Sequence, residues 1–444
     1  MTGTTARPAA GDQLFAQLAG LLAPQGAGDA SALVILEPSG KDVASAAAGG
    51  AGTPAAAEAL ADLANTVPAA AATFFDTGGT YDDLWDFVLR SARPTGPGGD
   101  PARVTLANLV NDNRADFELM ARARLGSAGD LYHPVLAEPA DWLSEEGWTS
   151  ASFRVGGEDP DPAPAPAPGV QVPHVLPALE WRLIAARKDV QPQPLWQEPE
   201  LAAADRIQTE AFDNPDRIVD VTAKVAPAAT DTPSGVELSF QYRVIGLQRP
   251  WLRAHLCELG SWAIPGLPAG GLSNGMPEGN PGILPVLTTR MLVVRNLVAK
   301  AHWSDADRAR AASAETLALG PFTLTGAADG DGSELRRPAP QVVAWLAAVL
   351  PACPPPGEVK DATTPAGLGR VVSRGPLTVR SDHTSKAATV GSLNPGQTVA
   401  LACKAQGEPV NGNTVWYRLG QDPQGWATAR YIKNLGPVPP CPAA

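Results

Sequence analysis

Residues 236–245 read VELSFQYRVI. Val236, Leu238, Phe240, Tyr242 and Val244 fall on one face of an extended chain, and Glu237, Ser239, Gln241 and Arg243 on the other. A period of two predicts a strand with one buried face. Working outward, 149–155 (TSASFRV), 179–186, 218–225, 289–298 and 317–324 read as further strands. Gly- and Pro-rich turns such as GLPAGGLSNGMPEGNPG (266–282) separate some of them. Together they predict an antiparallel β-sandwich over 131–350. The run APQVVAWLAAVL (339–350) reads as a short helix that closes this unit, ended by Pro351, Pro354, Pro355 and Pro356. A linker at 351–367 follows.

Toward the N-terminus the pattern changes. Leu14, Phe15, Leu18, Leu21 and Leu22 share one helical face of 12–22. Thr53-Pro54 is an N-cap followed by proline at the first helical position, predicting a helix over 53–65. TYDDLWDFVLR (80–90) and 105–124 predict two more helices. Residues 1–130 therefore read as a helical region, either a small bundle or one split by the Gly/Ala-rich stretch 40–56. Tyr132, Trp142, Trp148 and Phe153 mark an aromatic-anchored loop that leads into 149–155. The alternating DPDPAPAPAPG at 159–169 is a polyproline-type spacer or an exposed loop.

The chain has 444 residues, enough for several domains, and its hydrophobic content of 44% can fill a core. From Gly367 onward eight basic residues meet three acidic ones, a tail of +5, so the total of −12 leaves −17 on the remainder. An acidic body argues against nucleic acid as the partner. No stretch approaches the length of a membrane span, and 1–24 contains no apolar run of the secretory kind. Four cysteines (Cys257, Cys353, Cys403 and Cys441) permit two disulfides or free thiols.

Chemistry-bearing motifs are sparse. There is no GxSxG, Walker loop, HExxH or paired CxxC, and nothing implies a cofactor. His255 and Glu258 have the i, i+3 spacing of half a bundle metal site, and His302 with Asp305 is a weaker echo. Without a second full pair they read as surface or core residues, so no metal is predicted. Glu145 and Glu146 flank the aromatic loop, but a hydrolytic carboxylate pair is defined by separation in space.

The last stretch is the most specific. Short alternating runs broken by NPG, NGN and QDPQG predict a small β-barrel over 368–441. LTVRS (377–381), VGSLNPGQTVALAC (390–403), VNGNTVWYRLG (410–420) and GWATARYI (425–432), in that order, resemble bacterial SH3-like domains, especially actinobacterial ones. The resemblance implies a binding module that docks on peptidoglycan or on a protein or peptide. It implies a cell-surface or otherwise extracytoplasmic setting, and a disulfide between Cys403 and Cys441. Trp416, Tyr417, Trp426 and Tyr431 are the aromatic ligand candidates, with Asp382 and His383 in the first loop. Alternation puts Trp416 and Tyr417 on opposite faces, so only one should point inward. Three further blocks, RPWLRAHL (249–256), TRMLVVRNL (289–297) and LALGPFTL (317–324), are similar to segments of large uncharacterised bacterial and fungal proteins. They support treating 130–350 as one unit.

The expectation is an α+β multidomain binding protein with no catalytic residues. Two rivals accompany it. One is an effector or structural component of a contractile injection or other non-Sec export machine. The other is a cell-wall hydrolase with an unrecognised catalytic domain.

Overall fold

The structure is a computed structural model. It describes residues 10–22, 32–43, 53–68, 80–95, 101–126, 130–156, 161, 184–185, 235–264, 267–277, 280, 282–313, 316–328, 333–356, 367–373, 375–395, 397–410, 413–420, 424–434, 438 and 441. The body begins with α1 (Ala10–Leu22), β1 (Ala32–Asp42), α2 (Pro54–Asn65), α3 (Tyr81–Ser91), β2 (Arg93–Pro94) and α4 (Pro101–Met120). It continues with β3 (Arg122–Ala123), β4 (Leu131–Tyr132), β5 (Leu136–Glu138), β6 (Thr149–Val155), β7 (Ile184–Ala185), β8 (Val236–Gln248) and β9 (Trp262–Ala263). It closes with β10 (Val286–Ala301), α5 (Asp305–Ser313), β11 (Thr316–Leu319), β12 (Phe322–Ala328), β13 (Glu334–Arg337) and β14 (Gln341–Val349).

Ten of these strands form one antiparallel sheet with β10 as its spine. One edge of β10 pairs with β14 and then with β13, and its other edge pairs with β8. Asn296, at φ 53, marks the point where the partner changes, and its N–H donates to Pro338 O at 3.1 Å. Asparagine tolerates that left-handed backbone better than the β-branched residues around it. Outer strands continue the ladder: β5 and β6 on β8, β1 on β14, and β12, β11 and β7 beyond β13. The predicted sandwich of two sheets is thus a single sheet that bends.

The bend is pinned by Gln341, which is fully buried. Its amide accepts from Thr323 N and donates to Thr323 O, while Thr323 Oγ1 donates to Gly40 O. Strand β12 is thereby brought back beside β1. A Cβ on Gly40 would lie 1.7 Å from Gln341 Oε1, so a larger residue there would push the Gln341 amide off Thr323.

Both faces of the sheet are covered. Leu238, Phe240, Leu292, Val294, Val343, Leu346, Val34 and Leu36 pack under α1 and the β11–β12 hairpin. Leu33, Ile35, Ile245, Met291, Val293, Trp345 and Ala347 pack on the other side with Leu60 and Ala64 of α2 and with Trp142. The predicted strands at 149–155, 236–245 and 289–298 lie within β6, β8 and β10, and 317–324 is the β11–β12 hairpin. Ile184–Ala185 is the described part of 179–186; the 218–225 strand and most of the 159–169 spacer lie outside the described residues.

Residues 339–350 overturn the prediction of a closing helix, because 341–349 is β14, a strand between β1 and β10. Two effects disguised it. Strands covered on both faces read as continuous apolar runs. In addition, Leu292 pairs Ala344 while Val293 pairs Val342, so Val343 is an extra residue in a bulge. The bulge puts Val342, Trp345, Ala347 and Val349 on one face and Val343, Ala344 and Leu346 on the other, which mimics a helical period at one end.

The predicted helices at 12–22, 53–65, 80–90 and 105–124 correspond to α1–α4, and Thr53 and Thr80 cap α2 and α3 as read. They are not a self-standing bundle. Strand β1 from this region belongs to the body sheet, α1 and α2 lie on opposite faces of it, and α3 and α4 pack on Trp251, Trp262, Leu272 and Leu284.

The C-terminal unit comprises β15 (Gly367–Val371), β16 (Leu377–Arg380), β17 (Thr389–Leu393), β18 (Thr398–Val410), β19 (Asn413–Leu419), β20 (Trp426–Thr428) and β21 (Ile432–Asn434). They form an antiparallel sheet in the order β17-β16-β20-β19-β18-β15-β21, curled around Val379, Leu393, Leu401, Tyr417, Ala427 and Ile432 as a half-barrel. Cys403 and Cys441 are bridged, with S–S 1.99 Å, across a separation of 38 residues. Closing a loop of that length contributes on the order of 3–4 kcal/mol to a unit with so small a core.

Candidate binding site on the half-barrel

The connection from β16 to β17, residues 381–388, folds back over the β18–β19 hairpin. Glu408 holds it there: Ser385 N and Ser385 Oγ donate to Glu408 Oε2 at 2.8 Å each, and Thr384 Oγ1 donates to the same oxygen. The Thr384 hydroxyl, then Ser385, hold the Glu408 carboxyl down at about 2. Glu408 N donates to His383 O, and a Cβ on Gly407 would meet that carbonyl at 2.2 Å. Glycine at 407 thus allows the loop to approach.

This loop corrects the reading of the aromatic candidates. Tyr417 points into the half-barrel core and is fully buried. Trp416, on the opposite face, is buried as well, at 2% exposure, with Nε1 donating to Glu408 O. Alternation separates the two residues correctly, but the outer face of β19 lies under the loop rather than in water. Neither can touch a ligand. Tyr431 is half-buried against the same core.

Trp426, Asp382 and His383 remain, and the structure brings them together. Trp426 is half-buried at the start of β20, where Arg380 is its partner across the ladder. The His383 ring lies 5.0 Å from the Trp426 ring at 53°. His383 Nδ1 sits 2.5 Å from Asp382 Oδ1, off the line of a hydrogen bond, an ion pair when the imidazole is protonated. Val390, 44% exposed on β17, stands nearby, because a Cβ on Gly425 would touch both Val390 and Val379. The sequence reading missed Val390, whose only signal was an apolar residue beside a turn. An aromatic face, an apolar neighbour and a carboxylate–imidazole pair suit a ligand with a flat or apolar part and a basic group. Strand β17 also ends the sheet order, so its outer edge is open among the described residues.

The half-barrel meets the body through other strands. Arg370 on β15 pairs with Asp83 of α3 at 3.1 Å, and Ala400 on β18 joins the core around α3 and Trp251. Burial, then the neighbouring Asp82 carboxylate, push Asp83 up to about 7 against the pull of Arg370. An acid whose folded pKa is raised favours the fold below its unfolded value near 4, and that contribution is lost as pH rises toward 7. The interval is worth at most about 4 kcal/mol, and less here because 31% of the Asp83 side chain stays in water. Asp83→Asn is therefore expected to gain on the parent in urea unfolding from pH 5 to pH 8. A difference independent of pH would remove Asp83 from the joint's titration.

The other residues weighed for chemistry lie apart. His255, Glu258, His302 and Asp305 are exposed, and no three metal-ligating side chains gather among the described residues. Glu145 pairs with Arg295, whose guanidinium lies 4.4 Å from the Trp148 ring. Arg243 donates to Asp141 O, Ser144 Oγ and Glu146 O. Glu145 and Glu146 thus fasten the aromatic loop to the sheet. Asp82 and His133 lie 3.5 Å apart, with most of both side chains buried. No helix among the described residues is long and apolar enough to cross a membrane. Comparison with protein-family models, with curated proteins and with solved structures finds no match.

Proposed function

We propose that this chain is a binding protein whose C-terminal half-barrel, of the SH3-like kind its sequence resembles, docks on the peptide part of a cell wall. The observation that supports this best is the Trp426–His383–Asp382 group, accessible on β20 and the β16–β17 loop while β15 and β18 dock on the body. The module can therefore hold a ligand without leaving the body. A peptide beside Trp426 would reach the open edge of β17, where backbone hydrogen bonding adds affinity. Asp382 then favours a peptide carrying a free amine, as cross-linking stem peptides do.

The test is co-sedimentation of the full chain with purified peptidoglycan. The parent is expected to sediment. Trp426→Ala is expected to bind about 30-fold more weakly, the effect of losing roughly 2 kcal/mol from a central aromatic contact. Equal sedimentation of both proteins would move the site elsewhere, and no sedimentation of either would sink the cell-wall reading.

A further inference from the structure

Cys257 and Cys353 are both buried and unbridged. Cys257 lies on the single-turn helix Ala254–Glu258, and Cys353 on the stretch that leaves β14 toward the half-barrel. That stretch is held tightly. Cys353 N donates to Ser273 O, Leu272 N and Ser273 N donate to Cys353 O, and Ser273 Oγ donates to Leu350 O. Both sulfurs belong to one apolar cluster with Trp251, Leu256 and Leu272. The Cys353 thiol beside it, and then burial, push the Cys257 thiol well above the ordinary thiol range.

We propose that Cys257 and Cys353 are the site of a second disulfide, one that ties the exit of β14 to the body. Two cysteines held in one buried cluster are placed for side-chain rotation to bring their sulfurs to the bonding distance of about 2.04 Å. A compartment that oxidises Cys403 and Cys441 imposes the same condition on this pair. In the bonding step both S–H bonds break and one S–S bond forms. The two electrons and both protons pass to an exogenous disulfide, a small-molecule or oxidoreductase one, which leaves as two thiols. The thiolate is the attacking species, and burial suppresses it, so exchange takes place before this cluster closes. Once folded, the pair is shielded from reagents in either direction.

The experiment uses the full chain folded in an oxidising compartment, then denatured with an alkylating agent present and weighed intact. The expected result is no alkylation, with a non-reduced digest yielding peptides joined at Cys257 and Cys353. Alkylation of those two residues with Cys403–Cys441 intact overturns the proposal. A second measurement isolates the body pair. In Cys403→Ser/Cys441→Ser, complete reduction in denaturant before refolding is expected to lower the melting midpoint, and an unchanged midpoint also overturns it.

Discussion

Trp345→Ala is expected to lower the stability of the body by about 3–5 kcal/mol, the range for deleting a fully buried tryptophan. Trp345 is 1% exposed in the middle of β14, among Ile35, Met291 and Val293. Its loss opens a cavity between strands paired on both sides, a place with little freedom to collapse. A second cost adds to the first. Trp345 Nε1 donates to Glu37, a buried carboxylate whose other partner is Lys41 at 3.0 Å. Trp345→Phe keeps most of the packing and removes only that donor, so it should lose about 1–3 kcal/mol, the worth of a hydrogen bond to a buried carboxylate that is left with Lys41 alone. The ordering, parent above phenylalanine above alanine, is read by urea unfolding. If alanine cost no more than a surface substitution, the placement of 341–349 as a central strand would be wrong.

That strand shows where sequence reading succeeds and where it stops. Val236–Gln248 was legible because the outer residues of its first half face a less crowded side, so polarity alternates with the pleat. Gln341–Val349 was not, because both its faces are almost wholly buried and a bulge shifts the period. The helices of the N-terminal region were legible from caps and spacing, which are local. Their separation onto two faces of one sheet was not, since β1 enters that sheet beside a strand some 300 residues later in the chain. The same division holds at the binding site. Period-two alternation placed Trp416 and Tyr417 on opposite faces. The loop over Trp416 depends on Glu408 meeting Thr384 and Ser385 across the hairpin, a long-range contact that alternation cannot report. The contact of Asp83 with Arg370 likewise had no local signature.

Arg249 carries the other large prediction. Its guanidinium, buried to 7% exposure, donates to Asn65 Oδ1, Ala64 O, Thr288 O and Thr288 Oγ1, at 2.5–3.1 Å. It also lies 4.5 Å from the centre of the Tyr81 ring, and the Tyr81 hydroxyl accepts from Thr288 N. One side chain therefore ties α2, α3 and β10 together. Burial pulls Arg249 down to about 10, with Tyr81 and then Asp82 opposing, so the group stays cationic at neutral pH. Arg249→Met fills a similar volume without the charge. Where a buried ion is replaced together with its partners, such a change is often neutral. Here the acceptors on α2 and Thr288 remain, and leaving them unpaired should cost about 3–5 kcal/mol. Arg249→Lys keeps the charge but not the fork, and is expected to lose nearly as much, since an ammonium cannot reach both Ala64 O and Thr288 O in the guanidinium geometry. Amide exchange locates the damage: protection in α2 should fall before protection in β8 and β10. If Arg249→Met matched the parent in urea, the helices would be held by their apolar faces alone, and the network around Arg249 would contribute no net stability.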